Sequence, residues 1–205
     1  MNDLLTPIAQ YYTDKLQRFG SEPRGVDWNG SEGQILRFAQ LCKVLDRDIK
    51  FSVADIGCGY GALLDFLESQ FSEFHYTGVD ISDAMVSAAA QRHAGKLHAT
   101  FVKGTRTQRQ TDFAIASGIF NVKLAQKEDA WDSYIGATLE AMHEGTTKGF
   151  AFNCLTSYSD ADKMRPNLYY ADPCKLFDLC KRRFSRNVAL LHDYGLYEFT
   201  ILVRK

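Results

Sequence analysis

Phe51-Ser-Val-Ala-Asp-Ile-Gly-Cys-Gly-Tyr-Gly61, followed downstream by Gly78-Val-Asp80, is the run on which the fold of this chain turns. Phe51–Ile56 reads as a buried strand that enters a glycine-rich turn, and a helix begins near Gly61. A second strand then ends in a carboxylate. Glycines at 57, 59 and 61 let backbone approach a ligand where a side chain would intrude. The exposed N–H groups of the turn and of the helix start suit a negative group such as a carboxylate or phosphate. An acid at the tip of the second strand, about 20 residues on, suits the two hydroxyls of a ribose. Together these features predict binding of an adenosine-containing small molecule.

The turn also narrows the ligand. Gly57-Cys-Gly59-Tyr-Gly61-Ala62 satisfies the dinucleotide pattern G-x-G-x-x-G/A, which brings nicotinamide and flavin cofactors into consideration. Asp55, however, stands two residues before the first glycine, where a carboxylate would repel a pyrophosphate. An acid there suits a ligand with a free ammonium beside its carboxylate. The pattern Asp55-x-Gly57-x-Gly59-x-Gly61 with Asp80 resembles the first two motifs of class I S-adenosylmethionine-dependent methyltransferases. The resemblance implies that Asp55, Gly57, Cys58 and Gly59 cradle the methionine end of the cofactor and that Asp80 holds its ribose. It further implies that Ile81 packs on the adenine and that Ser117 and Gly118 line the cofactor near its sulfonium. Many family members carry an acid after the third strand to read the adenine amino group. Here the matching residues are Gly104-Thr105-Arg106, so either Thr105 takes that place through its hydroxyl or backbone, or packing holds the ring.

Composition bounds the alternatives. A chain of 205 residues holds one α/β domain with a real core, and the expected division is a helical lid at 1–48 and a Rossmann-like core at 49–205. A two-domain dehydrogenase would need more sequence. With 24 basic against 25 acidic residues, no charge excess favours nucleic acid. The cysteines at 42, 58, 154, 174 and 180 show no metal-like spacing, and an odd, scattered set suggests reduced thiols. Neither a signal segment nor a membrane-length apolar run is seen, and the expected location is the cytoplasm.

Along the chain, Thr6-Pro7 reads as the start of a helix whose face carries Ile8, Tyr12, Leu16 and Phe19. Ser31 and Gln34 form a capping-box pattern for a second helix. Lying before the first strand, the two helices are expected to cover the cofactor site. From residue 51 strands are expected at 51–56, 74–79, 98–103, 112–117 and 148–154, with helices near 61–70, 82–92 and 128–143. Asp172-Pro173 opens another helix. Asn187–Leu191 and Tyr197–Val203 are strand-like, and the short connection between them requires an antiparallel pair. The fold expected is α/β and doubly wound: a seven-stranded, mostly parallel sheet with an antiparallel last strand and an N-terminal helical lid. That sheet also resembles the methyltransferase one, whereas a dinucleotide fold closes with a parallel strand.

The activity implied is S-adenosylmethionine-dependent methyl transfer to a small-molecule acceptor. Two other readings stand beside it: a nucleotide-binding, NAD-type oxidoreductase fragment, and a catalytically silent adenosylmethionine-binding protein. Positioning supplies much of the rate of such a transfer, and a general base helps with some acceptors. His192 and Asp193, at the substrate end of the last hairpin, are the candidate base residues; capping a strand and steadying the turn before Gly195 are their structural alternatives. Asn121 is a candidate to orient the acceptor, and Tyr170 and Tyr194, with Tyr169 and Tyr197, are candidate aromatic walls. No Asn/Asp-Pro-Pro-Tyr-type sequence follows the fourth strand, which argues against base methylation of nucleic acid. Asp160 and Asp162 alone do not make a metal site, so no metal is expected. Gly25-Val-Asp-Trp28 and the helix after it look like the lid of bacterial small-molecule methyltransferases. Tyr11 and Trp28 would close over the cofactor, and Arg37 would reach its carboxylate. The apolar lid helix can pair with a second copy as readily as with its own core, so a homodimer is compatible with the sequence.

Overall fold

The hydrophobic periods of the chain resolve into one seven-stranded sheet with helices on both faces. The computed structural model describes residues 2–28, 30–46 and 49–205. The strands are β1 (Phe51–Ile56), β2 (Phe74–Asp80), β3 (Ala99–Lys103), β4 (Thr111–Ala116), β5 (Thr146–Leu155), β6 (Asn187–Leu191) and β7 (Glu198–Arg204). The helices are α1 (Asn2–Phe19), α2 (Ser31–Leu41), α3 (Ala62–Gln70), α4 (Asp83–Arg92), α5 (Glu128–Glu144) and α6 (Pro173–Arg183). Strand order is β3-β2-β1-β4-β5-β7-β6, and β7 alone runs against its neighbours. The chain steps outward from β1 to β3 and then returns to β1's other side with β4. That reversal opens a crevice beyond the carboxyl ends of β1 and β4, where α/β sheets place ligands.

Each face of the sheet buries its own core. On one, Trp131, Ile135 and Leu139 of α5 and Leu176 and Cys180 of α6 pack on Phe150, Phe152 and Ile201. On the other, Leu63, Leu64 and Leu67 of α3 pack with Phe51, Val53 and Tyr76. Alternation along β1 sends Val53 to one core and Ala54 and Ile56 to the other, as the pleat requires.

Three local expectations are corrected. Helix α1 begins at Asn2, upstream of Thr6-Pro7, and carries Pro7 inside its opening turns, where the missing N–H removes one ladder bond. Gly30, and not Ser31, is the N-cap of α2, with no side-chain cap; Gln34 is used instead as an acceptor for the Tyr60 hydroxyl, 3.3 Å away. Helix α2 is also more than a cover, because Phe38 and Leu41 are part of the α3-side core. By contrast, Ser82 caps α4 by accepting from Met85 N–H, and Asp172 caps α6 by accepting from the N–H groups of Cys174 and Lys175, as their positions predict. The expected lid–core boundary falls at Arg47–Asp48, outside the described residues. No helix among the described residues is long and apolar enough to cross a membrane.

Candidate functional site

Strand β1 ends at Ile56, and Gly57, Gly59 and Gly61 then take φ values of 75°, 55° and 84°. These are left-handed conformations that glycine adopts at little cost. The turn is crowded by protein as well as open to a ligand: a Cβ on Gly57 would come 2.2 Å from Ile119, and one on Gly61 would come 2.8 Å from the His93 ring. The glycines therefore serve the bend itself as well as the approach of a ligand.

Asp80, at the end of β2, ties the turn down. Its Oδ2 accepts from Gly59 N–H at 2.9 Å and its Oδ1 from Ser82 N–H at 2.8 Å. Burial raises its pKa, and these backbone donors oppose the rise. Asp55 lies deeper, 2% exposed, and accepts from the Tyr76 hydroxyl at 2.6 Å. Burial, with the Asp80 charge nearby, pushes its pKa up to about 7 against the pull of the Tyr76 hydrogen bond.

Above the turn lies a cavity of about 400 Å³. Asp55, Gly57, Cys58, Gly59, Asp80, Ile81, Thr105, Ser117, Gly118 and Trp28, all singled out from the sequence, line it. The helices before β1 add Ile8, Tyr12, Gln34 and Phe38, and the loop between them adds Val26. The lid tyrosine facing the cavity is Tyr12; Tyr11 instead donates to Asp27, which also pairs with Lys15 at 2.6 Å. Sequence reasoning missed the wall made by α5, namely Tyr134, Ala137, Thr138 and Ala141. Their spacing of three and four residues puts them on one helix face, and that period was the available signal. Arg106, in the stretch after β3 that carries no acid, also lines the cavity.

The proposed acceptor and base residues stand apart from this cavity. Asn121 is buried, and its Oδ1 accepts from Leu155 N–H at 3.0 Å, which fastens the β4 loop to the end of β5. Tyr170 accepts from Arg165 N–H at 2.9 Å through its hydroxyl, and Tyr194 shares a 3.0 Å hydrogen bond with Thr200. His192 and Asp193 are exposed on the β6–β7 connection, with the His192 ring between Tyr158 and Phe199. Arg37 does not point to the cavity as expected; its guanidinium forms a two-pronged ion pair with Glu198, at 2.8 and 2.7 Å. Asp160 lies on an exposed loop and is held by Lys163 and Tyr197; no group of three or more metal-ligating side chains occurs among the described residues.

The cradle's chemistry fits an adenosine ligand with an amino-acid tail. Asp55 has no cation neutralising it among the described residues, so an ammonium would complete it. Asp80 faces the cavity with acceptor lone pairs beyond the two that hold backbone. The buried Ser117 hydroxyl has no partner among the described residues, and Ser117 lines the same cavity.

Comparison with known proteins follows the same lines. The family described as "Methyltransferase domain" matches residues 54–143. The chain is 59% identical over 155 residues to Rv1506c of Mycobacterium tuberculosis (strain ATCC 25618 / H37Rv), a protein assigned provisionally as a methyltransferase. The match covers 76% of this chain and 93% of that protein. Among solved structures, the DhpI–SAM–HEP complex aligns with a TM-score of 0.68 at 13% identity, covering 97% of this chain and 96% of the other. Magnesium protoporphyrin IX methyltransferase (ChlM) of Synechocystis PCC 6803 with bound SAH aligns with a TM-score of 0.65 at 14% identity, covering 98% and 99%. At such identities these two structures speak for the fold alone.

Proposed function

The chain belongs to the class I S-adenosylmethionine-dependent methyltransferase family, and on that premise we propose that it transfers a methyl group to a small-molecule acceptor. One observation carries the reading: two buried carboxylates, Asp55 and Asp80, flank a left-handed glycine turn on the wall of one cavity of about 400 Å³. A volume of that size suits a small ligand. S-adenosylmethionine, when bound, supplies an electrophilic methyl carbon on its sulfonium.

In this proposal Asp55 takes the cofactor's ammonium, and the N–H groups of the glycine turn and α3 take its carboxylate. Asp80 takes the ribose hydroxyls while it keeps Gly59 in place. Ile81 and the α5 wall hold the adenine by packing, with Thr105 at its edge, which answers the missing acid after β3. Ser117 and Gly118 face the reacting end, and Tyr12 and Trp28 exclude water above it. Catalysis is then chiefly positioning, with the acceptor atom held about 3–3.5 Å from the methyl carbon. His192 and Asp193 stand at the same end of the sheet as the cavity, and the proposal gives them contact with the acceptor at its rim. Tyr170 and Tyr194 have the same place in it, and Asn121 shapes the loop that carries Ser117.

The test is a calorimetric titration of S-adenosylhomocysteine, with NADH in parallel, against wild type and Asp80→Ala. Micromolar binding of the first ligand alone, lost in the variant, is the expected result. Thermal melts of the same samples are needed because Asp80 also holds the Gly59 and Ser82 backbone. Binding of NADH in place of S-adenosylhomocysteine would refute the cofactor assignment.

A further inference from the structure

A closed ring of contacts joins the roof of the cavity to its floor through the interior of the protein. Arg37 on α2 stacks over the Trp28 ring, 3.9 Å from its centroid. Trp28 lies against Gly118, so closely that a Cβ there would come 2.4 Å from the indole. Gly118 N–H donates to Asn153 Oδ1 at 2.7 Å, and Asn153 Nδ2 donates to Glu198 Oε2 at 2.7 Å. Glu198 closes the ring on Arg37, at 2.8 Å from its Nε and 2.7 Å from its Nη2. Asn153 is 0% and Glu198 1% exposed, and the Arg37 side chain is 12% exposed.

We propose that Arg37, Glu198 and Asn153 are positioning residues that fix Trp28 and Gly118 around the reacting end of the cofactor, with Glu198 as the junction. The proposal rests on reading the cavity as the cofactor site. A buried ion pair is a poor choice for stability alone, because removing two charges from water costs as much as their attraction returns. Apolar residues of similar size would hold α2 against β7 as well. What apolar residues would not do is set a direction. The planar guanidinium offers a fork to Glu198 and a flat face to Trp28 at once, which lysine does not. The Asn153 amide in turn has one end committed to Glu198 and the other to the Gly118 backbone. Both arms end on cavity-lining residues, and neither Glu198 nor Asn153 lines the cavity itself. A contact of this kind transmits geometry to a ligand without touching it.

The decisive variant is the double substitution Arg37→Met with Glu198→Gln. It leaves no unpaired buried charge, keeps an oxygen for Asn153 Nδ2 and releases Trp28. The readouts are melting temperature, calorimetric affinity for S-adenosylhomocysteine, and tryptophan emission during the titration, with Trp28→Phe separating the Trp28 signal from that of buried Trp131. We expect a fold that melts within a few degrees of wild type, roughly tenfold weaker binding, and loss of the Trp28 emission change. Arg37→Lys keeps the charge without the fork or the stacked face, and it is expected to lose the Trp28 response even though the ion pair survives. Wild-type affinity with an unchanged Trp28 response in either variant overturns the positioning role. Failure of wild type itself to bind S-adenosylhomocysteine overturns the cofactor reading and this one with it, and is told apart by the unmutated control.

Discussion

Asp55 shows how a single residue carries both the recognition and the pH behaviour of the site. Its pKa is pushed up to about 7 from an ordinary 3.8, first by burial and then by the charge on Asp80. An incoming ammonium favours the ionised form, so ligand binding releases a proton below pH 7. S-adenosylhomocysteine affinity should therefore rise with pH up to about 7 and level off above it. Titrations in buffers of different ionisation enthalpy measure the released proton directly; an affinity flat from pH 5.5 to 8 would refute the ammonium contact. Stability runs the other way. The folded state holds the Asp55 proton more tightly than the unfolded chain, so this group's contribution falls as pH rises from about 4 to 7. Asp55→Asn should abolish that fall and melt higher than wild type at pH 8, while binding S-adenosylhomocysteine far more weakly. At Gly118, φ is +75° and the indole of Trp28 occupies the space of a side chain. Gly118→Ala should cost about 1–3 kcal/mol of stability and displace Trp28, read as a melting shift with altered emission. The sequence made Asp55 and Asp80 legible because a motif sets their spacing from the glycines. The Trp28–Gly118 contact follows from no local rule, since it depends on where a loop lands.

Among the elements, α1 forms part of the roof through Ile8 and Tyr12. It is fastened by Tyr11 and Lys15 to Asp27, and by a 2.8 Å hydrogen bond between Thr13 and Ser82 at the start of α4. Asp27 itself sits at φ 63°, a conformation asparagine adopts at least as readily as aspartate. Asp27→Asn keeps the turn but weakens both fastenings. We expect several-fold faster release of S-adenosylhomocysteine in stopped-flow fluorescence, with a melting temperature close to wild type, because half-exposed pairs add little stability. An unchanged release rate would show that α1 does not gate the site. The strands and most helices were legible because period two and period 3.6 are written locally. Helix starts were legible where a side chain does the capping, at Ser82 and Asp172, and misread where it does not. Ser31 looks like a cap, yet Gly30 holds that position and Gln34 is drawn into a tertiary contact with Tyr60.

For the whole molecule, the two helices before β1 make different contacts. The reading of 1–48 as a lid treats α1 and α2 alike, since both precede β1 and both are amphipathic. Their contacts separate them. Helix α1 supplies Ile8 and Tyr12 to the cavity, sets Ile8, Leu4 and Tyr12 against the α5-side core, and is fastened at its outer side by polar groups. Helix α2 contributes Phe38 and Leu41 to the α3-side core and Arg37 to the Glu198 ion pair, a link across 161 positions that no sequence window spans. Deleting α2 would uncover the sheet over β5 and β7 and strand a buried carboxylate, a loss of about 3–5 kcal/mol from the ion pair alone. That is a large share of the stability of an ordinary domain. A chain beginning at residue 22 should therefore fold, with a native-like circular dichroism spectrum and a cooperative melt, but hold S-adenosylhomocysteine weakly because its roof is open. A chain beginning at residue 49 should be insoluble or lack a cooperative transition. If the shorter chain melts cooperatively, α2 is a lid after all, and the ion pair beneath it contributes to ligand binding without being needed for the fold.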